Sequence, residues 1–246
     1  MEILYGRNPI RESLRAGRRV PRRLVLAEGV QDSGVVADIL HLAHSAGIDV
    51  RRLPKPEIGR LVGHGHHQGV ALETSPYPYV EVPTILESAA MAGASPFLLA
   101  LDLLQDPQNV GALLRTAEAV GVHGVLLQRR RAVGITPAVV NASSGAVEHL
   151  LVAQETNLTR ALLELKAAGI WIYGLESRPG LISYHEASLN GPIALVVGGE
   201  GTGLRRLVRE TCDVLMQLPM RGRVESLNAA VAGSVALYAI ARARGF

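Results

Sequence analysis

The sequence predicts an α/β protein with two parts, a small N-terminal α/β domain and a larger C-terminal domain built on a mostly parallel β-sheet. Residues 1–74 contain short helix and strand patterns in alternation. Residues 75–95 begin with a stretch rich in proline and tyrosine, a composition that favours extended chain. From residue 96 onward, apolar runs alternate with stretches of helical spacing. These observations predict domains at 1–74 and 96–246, joined by a linker at 75–95.

The N-terminal domain is predicted to contain three helices and three strands. The helices have apolar residues at helical spacing, and the strands are short apolar runs. In chain order we predict a helix at 9–16, a strand at 23–27, a helix at 35–46, a strand at 50–53, a helix at 56–62 and a strand at 69–73.

The C-terminal domain is predicted to repeat a strand-then-helix unit. We predict strands at 97–103, 122–127, 150–153, 170–175, 193–197 and 214–218. We predict helices at 109–120, 137–149, 158–168, 204–211 and 227–243. Such repetition favours a mostly parallel sheet that is covered by helices on both faces.

The composition is that of an ordinary globular protein, with 48% hydrophobic and 19% charged residues. The longest apolar runs are far shorter than the roughly 20 residues that span a bilayer, so no membrane segment is predicted. The first residues carry charges and a proline instead of an apolar secretory signal, and Cys212 is the only cysteine, so we expect a cytoplasmic location. Of the 25 basic residues two are lysines, which leaves 25 − 2 = 23 arginines. Because arginine bonds phosphates bidentately, a nucleic-acid partner is permitted.

The first segment with chemical potential runs from Asp102 to Thr116. A predicted strand ends in polar turn residues, and a helix is predicted to begin near Asn109. Ligands of open α/β sheets bind at the carboxyl ends of the strands, and Asn109 and Arg115 are less than two helical turns apart. A purely structural interpretation is equally available, with Asn109 as the helix N-cap and Arg115 as a solvated side chain.

The second segment, residues 194–204, is a buried strand that leads into a glycine-rich turn around Glu200. Glycines allow a ligand to approach the backbone closely and tolerate positive φ. No Gly-Lys-Ser/Thr follows, and Leu204 occupies the place of the third glycine of a dinucleotide fingerprint, so the common nucleotide-binding loops do not fit. A tight strand-to-helix connection explains the glycines but not Glu200.

The third segment, residues 218–237, joins a strand through a polar loop to a helix rich in alanine and glycine. Ser226 is a natural N-cap for this helix, with Asn228 in its first turn. Each residue alone has a structural explanation, but that explanation does not account for all three segments together.

Together the segments resemble the signature motifs of the SpoU/TrmH family of RNA ribose 2′-O-methyltransferases, which belongs to the SPOUT class. The motifs are N-x-G-x-x-x-R, G-x-E-G-x-G and P-M-x-G-x-x-x-S-L-N, and the match includes the spacing of 226 − 200 = 26 residues from Glu200 to Ser226. Residues 4–14 and 67–71 resemble the substrate-binding domain of the family. Full-length similarity is greatest to the enzymes that methylate a guanosine ribose in large-subunit (23S) ribosomal RNA.

The resemblance implies a C-terminal trefoil-knot methyltransferase domain, a ribosomal-protein-like N-terminal RNA-binding domain, and S-adenosylmethionine as methyl donor. The implied donor-binding residues are Gly198, Gly199, Leu218 and Leu227. The implied catalytic residues are Asn109, Arg115, Glu200, Ser226 and Asn228. Guanidinium holds its proton above a pKa of ~12, so for Arg115 we favour a grip on the target phosphate over a role as base. The general base is left open.

The expected partners are ribosomal RNA and a second copy of the chain. In the N-terminal domain Arg7, Arg11 and His67 are expected to contact RNA. His64, His66 and His67 form a cluster, but no cysteine or acidic residue accompanies them, so we predict no metal site. The alternatives are a transfer-RNA substrate within the same family, a non-catalytic RNA-binding assembly factor, and a nucleotide-dependent α/β enzyme of another kind.

Overall fold

A computed structural model describes residues 1–63, 65–178, 180–199, 201 and 203–246. In chain order its elements are β1 (Glu2–Tyr5), α1 (Arg7–Ala16), β2 (Pro21–Ala27), α2 (Val35–Ser45), β3 (Asp49–Leu53), α3 (Lys55–Val62), β4 (Val70–Thr74), α4 (Val82–Met91), β5 (Phe97–Asp102), α5 (Pro107–Ala119), β6 (Gly124–Gln128), α6 (Pro137–Ala142), a 3-10 helix (Ala146–His149), β7 (Val152–Glu155), α7 (Leu158–Ala167), β8 (Trp171–Leu175), β9 (Ile182–Ser183), β10 (Ile193–Gly198), α8 (Arg206–Thr211), β11 (Val214–Gln217) and α9 (Ala229–Ala243). The predicted α/β class is confirmed.

The chain forms two compact units that do not follow its linear order. The first unit consists of Met1–Pro78 together with Ile135–His149, and the second consists of Tyr79–Gly134 and Leu150–Phe246. The linear division at residues 74 and 96 therefore does not describe how the chain packs. A segment from the middle of the predicted C-terminal domain completes the first unit.

The first unit is built on a four-stranded sheet in the order β1-β4-β2-β3. Strands β2 and β3 are parallel, and β4 is antiparallel to both of its neighbours. Helix α6 packs against β1, and the 3-10 helix packs against α1. We predicted one helix over 137–149, but Ser144 and Gly145 have φ values of 54° and 89° and interrupt it. An α-helix cannot continue through this left-handed backbone.

A buried ion pair fixes the 3-10 helix in the first unit. Arg19 Nε lies 3.0 Å and 2.9 Å from the two carboxylate oxygens of Glu148, and Arg19 Nη1 donates to Glu2 at 2.7 Å. Burial acts to lower the pKa of Arg19, but these carboxylates outweigh it and raise the pKa above its ordinary value. Removing one partner of such a pair costs about 3–5 kcal/mol, because the other charge stays buried.

The second unit is built on a seven-stranded sheet in the order β7-β6-β5-β10-β8-β11-β9. Every pair of neighbouring strands is parallel, which confirms the predicted sheet type. Strand β10 lies between β5 and β8, and β11 enters later in the chain between β8 and β9. The chain thus returns twice to the interior of the sheet. The trefoil knot implied by the resemblance stays a prediction.

The predicted linker contains a helix that we did not anticipate. Helix α4 buries Val82, Ile85 and Ala89, and the space beside Ile85 is so tight that a Cβ on Gly124 would lie 2.4 Å from Ile85 Cγ2. Pro83 stands in the first turn, where a missing backbone N–H costs nothing. The surrounding prolines had hidden the helical spacing.

No described helix is long and apolar enough to cross a membrane.

Candidate active site

A cavity of about 570 Å³ opens in the second unit at the carboxyl ends of β8, β10 and β11 and beside the start of α9. This volume suits a small-molecule ligand. The described residues that line it are Leu175, Glu176, Ser177, Arg178, Val197, Gly198, Gly199, Gly201, Gly203, Leu218, Met220, Glu225, Ser226, Leu227, Asn228, Ala229 and Ala232.

The cavity brings together most of the residues that the motifs had singled out. All four predicted donor-binding residues and two of the predicted catalytic residues line it, namely Gly198, Gly199, Leu218, Leu227, Ser226 and Asn228. Glu200 lies outside the described residues. Asn109 and Arg115 are on α5, where Asn109 is half-buried and Arg115 is exposed.

The glycines of the second motif are required by close backbone contacts. A Cβ on Gly198 would lie 2.3 Å from the carbonyl carbon of Gly203, and one on Gly199 would lie 2.9 Å from the carbonyl oxygen of Leu103. The turn closes on itself, because the N–H of Gly203 donates to the carbonyl of Gly199 at 3.0 Å. Side chains at these positions would clash with the backbone, which has no room to move aside.

Two buried carboxylates that we did not single out hold the far end of this turn. Asp102, the last residue of β5, accepts from the N–H of Arg205 at 2.9 Å and from its Nε at 2.7 Å. Glu176, which follows β8, accepts from the N–H of Leu204 at 3.3 Å and from Arg209 Nε at 2.8 Å. The carboxylates lie on either side of β10 and fix consecutive residues. The only hint in the sequence is an acidic residue directly after an apolar strand.

A hydrogen bond joins the first motif to the third. Asn228 Nδ2 donates to Asn109 Oδ1 at 3.0 Å. Asn228 is also the N-cap of α9, since its Oδ1 accepts from the N–H groups of Ala230 and Val231 at 2.9 Å and 3.2 Å. The predicted N-cap at Ser226 is therefore wrong, because α9 begins two residues later than that assignment requires.

Asn109 is not the N-cap of α5, which was the structural alternative for this residue. Asp106 caps this helix and accepts from the N–H groups of Gln108 and Asn109 at 3.2 Å each. Asn109 is thus inside the first turn. Because the Asp106 carboxylate caps the helix, the side-chain oxygen of Asn109 can accept the hydrogen bond from Asn228.

Helices α5 and α9 pack closely through small residues. A Cβ on Gly233 would lie 2.5 Å from Leu113 Cδ2, and the hydroxyls of Thr116 and Ser234 are 2.9 Å apart. Part of the alanine- and glycine-rich character of α9 is therefore used within one subunit. The opposite face of α9 exposes Val231, Val235 and Tyr238.

The structure distinguishes among the three residues expected to contact RNA. Arg7 is exposed, and its Nε donates to the carbonyl of Gln68 at 3.3 Å. Arg11 is half-buried and donates to Glu12 at 2.8 Å. His67 is only 1% exposed, and its Nδ1 accepts from the N–H of Gly69 at 3.1 Å. Burial places His67 out of reach of an RNA strand, which corrects that expectation.

In the part of the chain that the structure describes, no three His, Cys, Asp or Glu side chains are grouped so as to hold a metal ion. His64 of the predicted histidine cluster lies outside the described residues.

Burial raises the pKa of the Cys212 thiol to about 12, so this sulfur is protonated at neutral pH.

Comparison with protein families shows which family the chain belongs to. Residues 96–238 match the SpoU rRNA Methylase family, and residues 3–80 match a domain described as RNA 2′-O ribose methyltransferase substrate binding. The chain belongs to the SpoU rRNA methylase family. It is an RNA 2′-O-ribose methyltransferase, and S-adenosylmethionine is the methyl donor of this family.

Individual relatives resemble the enzyme over almost its whole length. YacO of Bacillus subtilis, named as a TrmH family tRNA/rRNA methyltransferase, is 40% identical over 99% of this chain and 96% of its own. The crystal structure of the SpoU methyltransferase AviRb from Streptomyces viridochromogenes in complex with AdoMet has a TM-score of 0.79 at 22% identity, with 98% and 89% of the two chains covered. An AdoMet-bound rRNA methyltransferase from Sinorhizobium meliloti has a TM-score of 0.76 at 21% identity, with 98% and 87% covered. The two structural neighbours share the fold with the enzyme.

Proposed function

We propose that the enzyme transfers a methyl group from S-adenosylmethionine to the 2′-hydroxyl of a guanosine ribose in 23S ribosomal RNA, in the cytoplasm. The observation that carries this proposal is the hydrogen bond between Asn109 and Asn228, which joins the first motif to the edge of a cavity lined by the other two. The two-unit chain supports a ribosomal substrate, because the solved rRNA methyltransferase from Sinorhizobium meliloti aligns over 98% of it.

We assign the chemistry to the residues around the cavity. Bound S-adenosylmethionine supplies an electrophilic methyl group on a positively charged sulfur. Gly198 and Gly199 let the donor approach the backbone, and Leu218 and Leu227 give it apolar walls. We assign Ser226 and Asn228, which line the cavity, to the orientation of the ribose hydroxyl by hydrogen bonds. We assign Arg115 to the target phosphate and Glu200 to the active centre, and we assign no residue as the base.

The substrate is tested by methylation of purified RNA. The full chain, supplied with labelled S-adenosylmethionine, should label 23S ribosomal RNA, and nucleoside analysis should recover the label as 2′-O-methylguanosine. Labelling of transfer RNA alone would identify the transfer-RNA alternative. Donor binding without labelling of either RNA, including RNA from a strain that lacks the gene, would favour the non-catalytic assembly factor.

We further propose that the enzyme is a homodimer that associates through the outer face of α9. Val231, Val235 and Tyr238 lie on one face at spacings of four and three residues and are 50%, 40% and 49% exposed. Such an apolar stripe is typical of an interface. It also continues directly from Asn228, so a partner bound there would stand beside the cavity.

The dimer is tested by placing a charge in this stripe. Val235→Asp should convert a species of about twice 26.2 kDa into one of 26.2 kDa in sedimentation at micromolar concentration, because an unpaired buried carboxylate is costly. Leu163→Asp on α7 is the matched control, since Leu163 is 52% exposed but lies on another helix. A wild-type protein that sediments only as a monomer contradicts this proposal.

A further inference from the structure

Glu176 has one carboxylate oxygen that accepts no hydrogen bond from the described residues. Its side chain is only 3% exposed and belongs to the lining of the cavity. Oε1 accepts from Leu204 and Arg209, whereas Oε2 receives no hydrogen bond from any described residue. A buried acceptor without a partner is costly, and native proteins rarely leave one. The second oxygen therefore points to a ligand.

Asp102 shows that anchoring the turn does not require such a free oxygen. It fixes Arg205 from the other side of β10 and uses both of its oxygens, with Oδ2 on the backbone N–H and Oδ1 on the guanidinium. Its side chain is completely buried, and it does not belong to the described lining of the cavity. Of these two carboxylates, only Glu176, which lines the cavity, has an oxygen that accepts no hydrogen bond from the described residues.

The charge around Glu176 decides what kind of group Oε2 can accept. Arg209 binds Oε1, and Arg178 Nε lies 3.3 Å from Oε2 but is not aligned for a hydrogen bond. One carboxylate thus already faces two guanidinium groups, and a further cation such as an ammonium would be repelled. A neutral hydroxyl is not repelled. Arg178 is 56% exposed, so its long side chain can turn outward as a ligand enters.

The position of Glu176 selects the part of the methyl donor that it meets. Asn109 follows β5, whereas Glu176 follows β8, and β10 separates these strands. Two strand spacings separate the end of β5 from the end of β8 by about 10 Å. If the methyl group lies near Asn109 and Asn228, Glu176 lies near the end of the donor that does not react. The apolar walls at Leu218 and Leu227 suit the flat adenine ring, which leaves the ribose for Glu176.

We propose that Glu176 Oε2 accepts a hydrogen bond from a ribose hydroxyl of S-adenosylmethionine and thereby selects the donor. This inference rests on the proposed function, because it places the donor in this cavity. The same carboxylate binds the glycine-rich turn through Oε1. Donor recognition and the shape of the turn are therefore joined in one side chain.

The experiment measures calorimetric affinities of the full chain for S-adenosylhomocysteine and for its 2′-deoxy and 3′-deoxy derivatives. In the wild type, removing the recognised hydroxyl should weaken binding about tenfold or more, as expected for a hydrogen bond to a charged acceptor. Glu176→Gln and Glu176→Ala should weaken the binding of the parent compound, S-adenosylhomocysteine. In both variants the dissociation constant of each deoxy derivative, divided by that of the parent compound, should be close to one. Asp102→Asn, the matched control, loosens the same turn but should keep the wild-type ratio.

The outcomes separate this inference from the proposed function. Failure of S-adenosylhomocysteine to bind the wild type overturns the donor site itself and the inference with it. If the wild type binds S-adenosylhomocysteine and both deoxy derivatives with nearly equal dissociation constants, only the role of Glu176 is overturned. This measurement uses the wild type and does not depend on the folding of a variant. A large ratio that survives in both Glu176 variants overturns that role as well. Two further ligands, the inosine derivative of S-adenosylhomocysteine and 5′-methylthioadenosine, test the other parts of the donor. If either of them binds more weakly than S-adenosylhomocysteine while both deoxy derivatives bind equally well, Glu176 contacts another part of the donor. That result overturns the ribose contact.

Discussion

Replacing Arg115 by alanine should lower methyl transfer by roughly 10²- to 10³-fold while leaving the affinity for S-adenosylhomocysteine within a factor of about two. The reason is the separation of the two functions. Arg115 lies on the exposed side of α5 and does not belong to the described lining of the cavity, whereas the proposed donor contacts all do. Single-turnover rates at saturating RNA, measured together with donor calorimetry, check this expectation.

Two control variants make the Arg115 result interpretable. Arg160→Ala removes an arginine of α7 that pairs with Glu164 on the surface of its own helix, and it should leave both quantities unchanged. Arg7→Ala in the first unit should weaken RNA binding, reduce the log–log salt slope by about one and regain the wild-type rate at saturating RNA. Full activity of Arg115→Ala at saturating RNA would return Arg115 to the role of a solvated helix residue.

Gly198→Ala should abolish donor binding, with at least about a hundredfold loss of affinity, and should destabilise the fold by about 1–3 kcal/mol. The new methyl group would lie 2.3 Å, 2.4 Å and 2.6 Å from the carbonyl carbon and oxygen of Gly203 and the nitrogen of Leu204. All three are backbone atoms, and Leu204 is held in place by Glu176. Only displacement of the whole turn can relieve the contact, and the turn lines the cavity.

Gly222→Ala is the matched control for Gly198→Ala. Gly222 lies in the loop of the third motif, its Cβ would meet nothing within 4 Å, and its φ is outside the left-handed region. This variant should bind S-adenosylhomocysteine like the wild type and unfold at the same denaturant concentration. Calorimetry and urea unfolding measure both effects. Normal donor affinity in Gly198→Ala would show that the second motif does not form the donor site.

Local pattern predicted most of the helices and strands because each one carries a clear apolar periodicity. The omissions were elements whose pattern is short or masked. Strand β1 has four residues and β9 has two, and α4 lies among prolines. The assignment of Ile135–His149 to the first unit depends on partners far away in sequence, such as Arg19 and Glu148, which are 129 positions apart.

The candidate site shows the same division between local and distant information. The family resemblance implied Gly198, Leu218 and their neighbours as donor-binding residues, and the structure shows that they line one cavity. Asp102 and Glu176 were missed because the groups that they bind, at Arg205 and Leu204, are 103 and 28 residues away. The roles of the individual site residues stay predictions that the variants above test.

The excursion of Ile135–His149 into the first unit bears on how such an enzyme can be assembled from modules. The chain crosses between the units three times, after Pro78, after Gly134 and after His149. An end-to-end fusion of two separate domains would create only one crossing, so the two units of this chain are not a simple tandem. Anyone who grafts the N-terminal module onto another enzyme must transplant Glu148 with it, because Arg19 would otherwise be left with half of its charge partners.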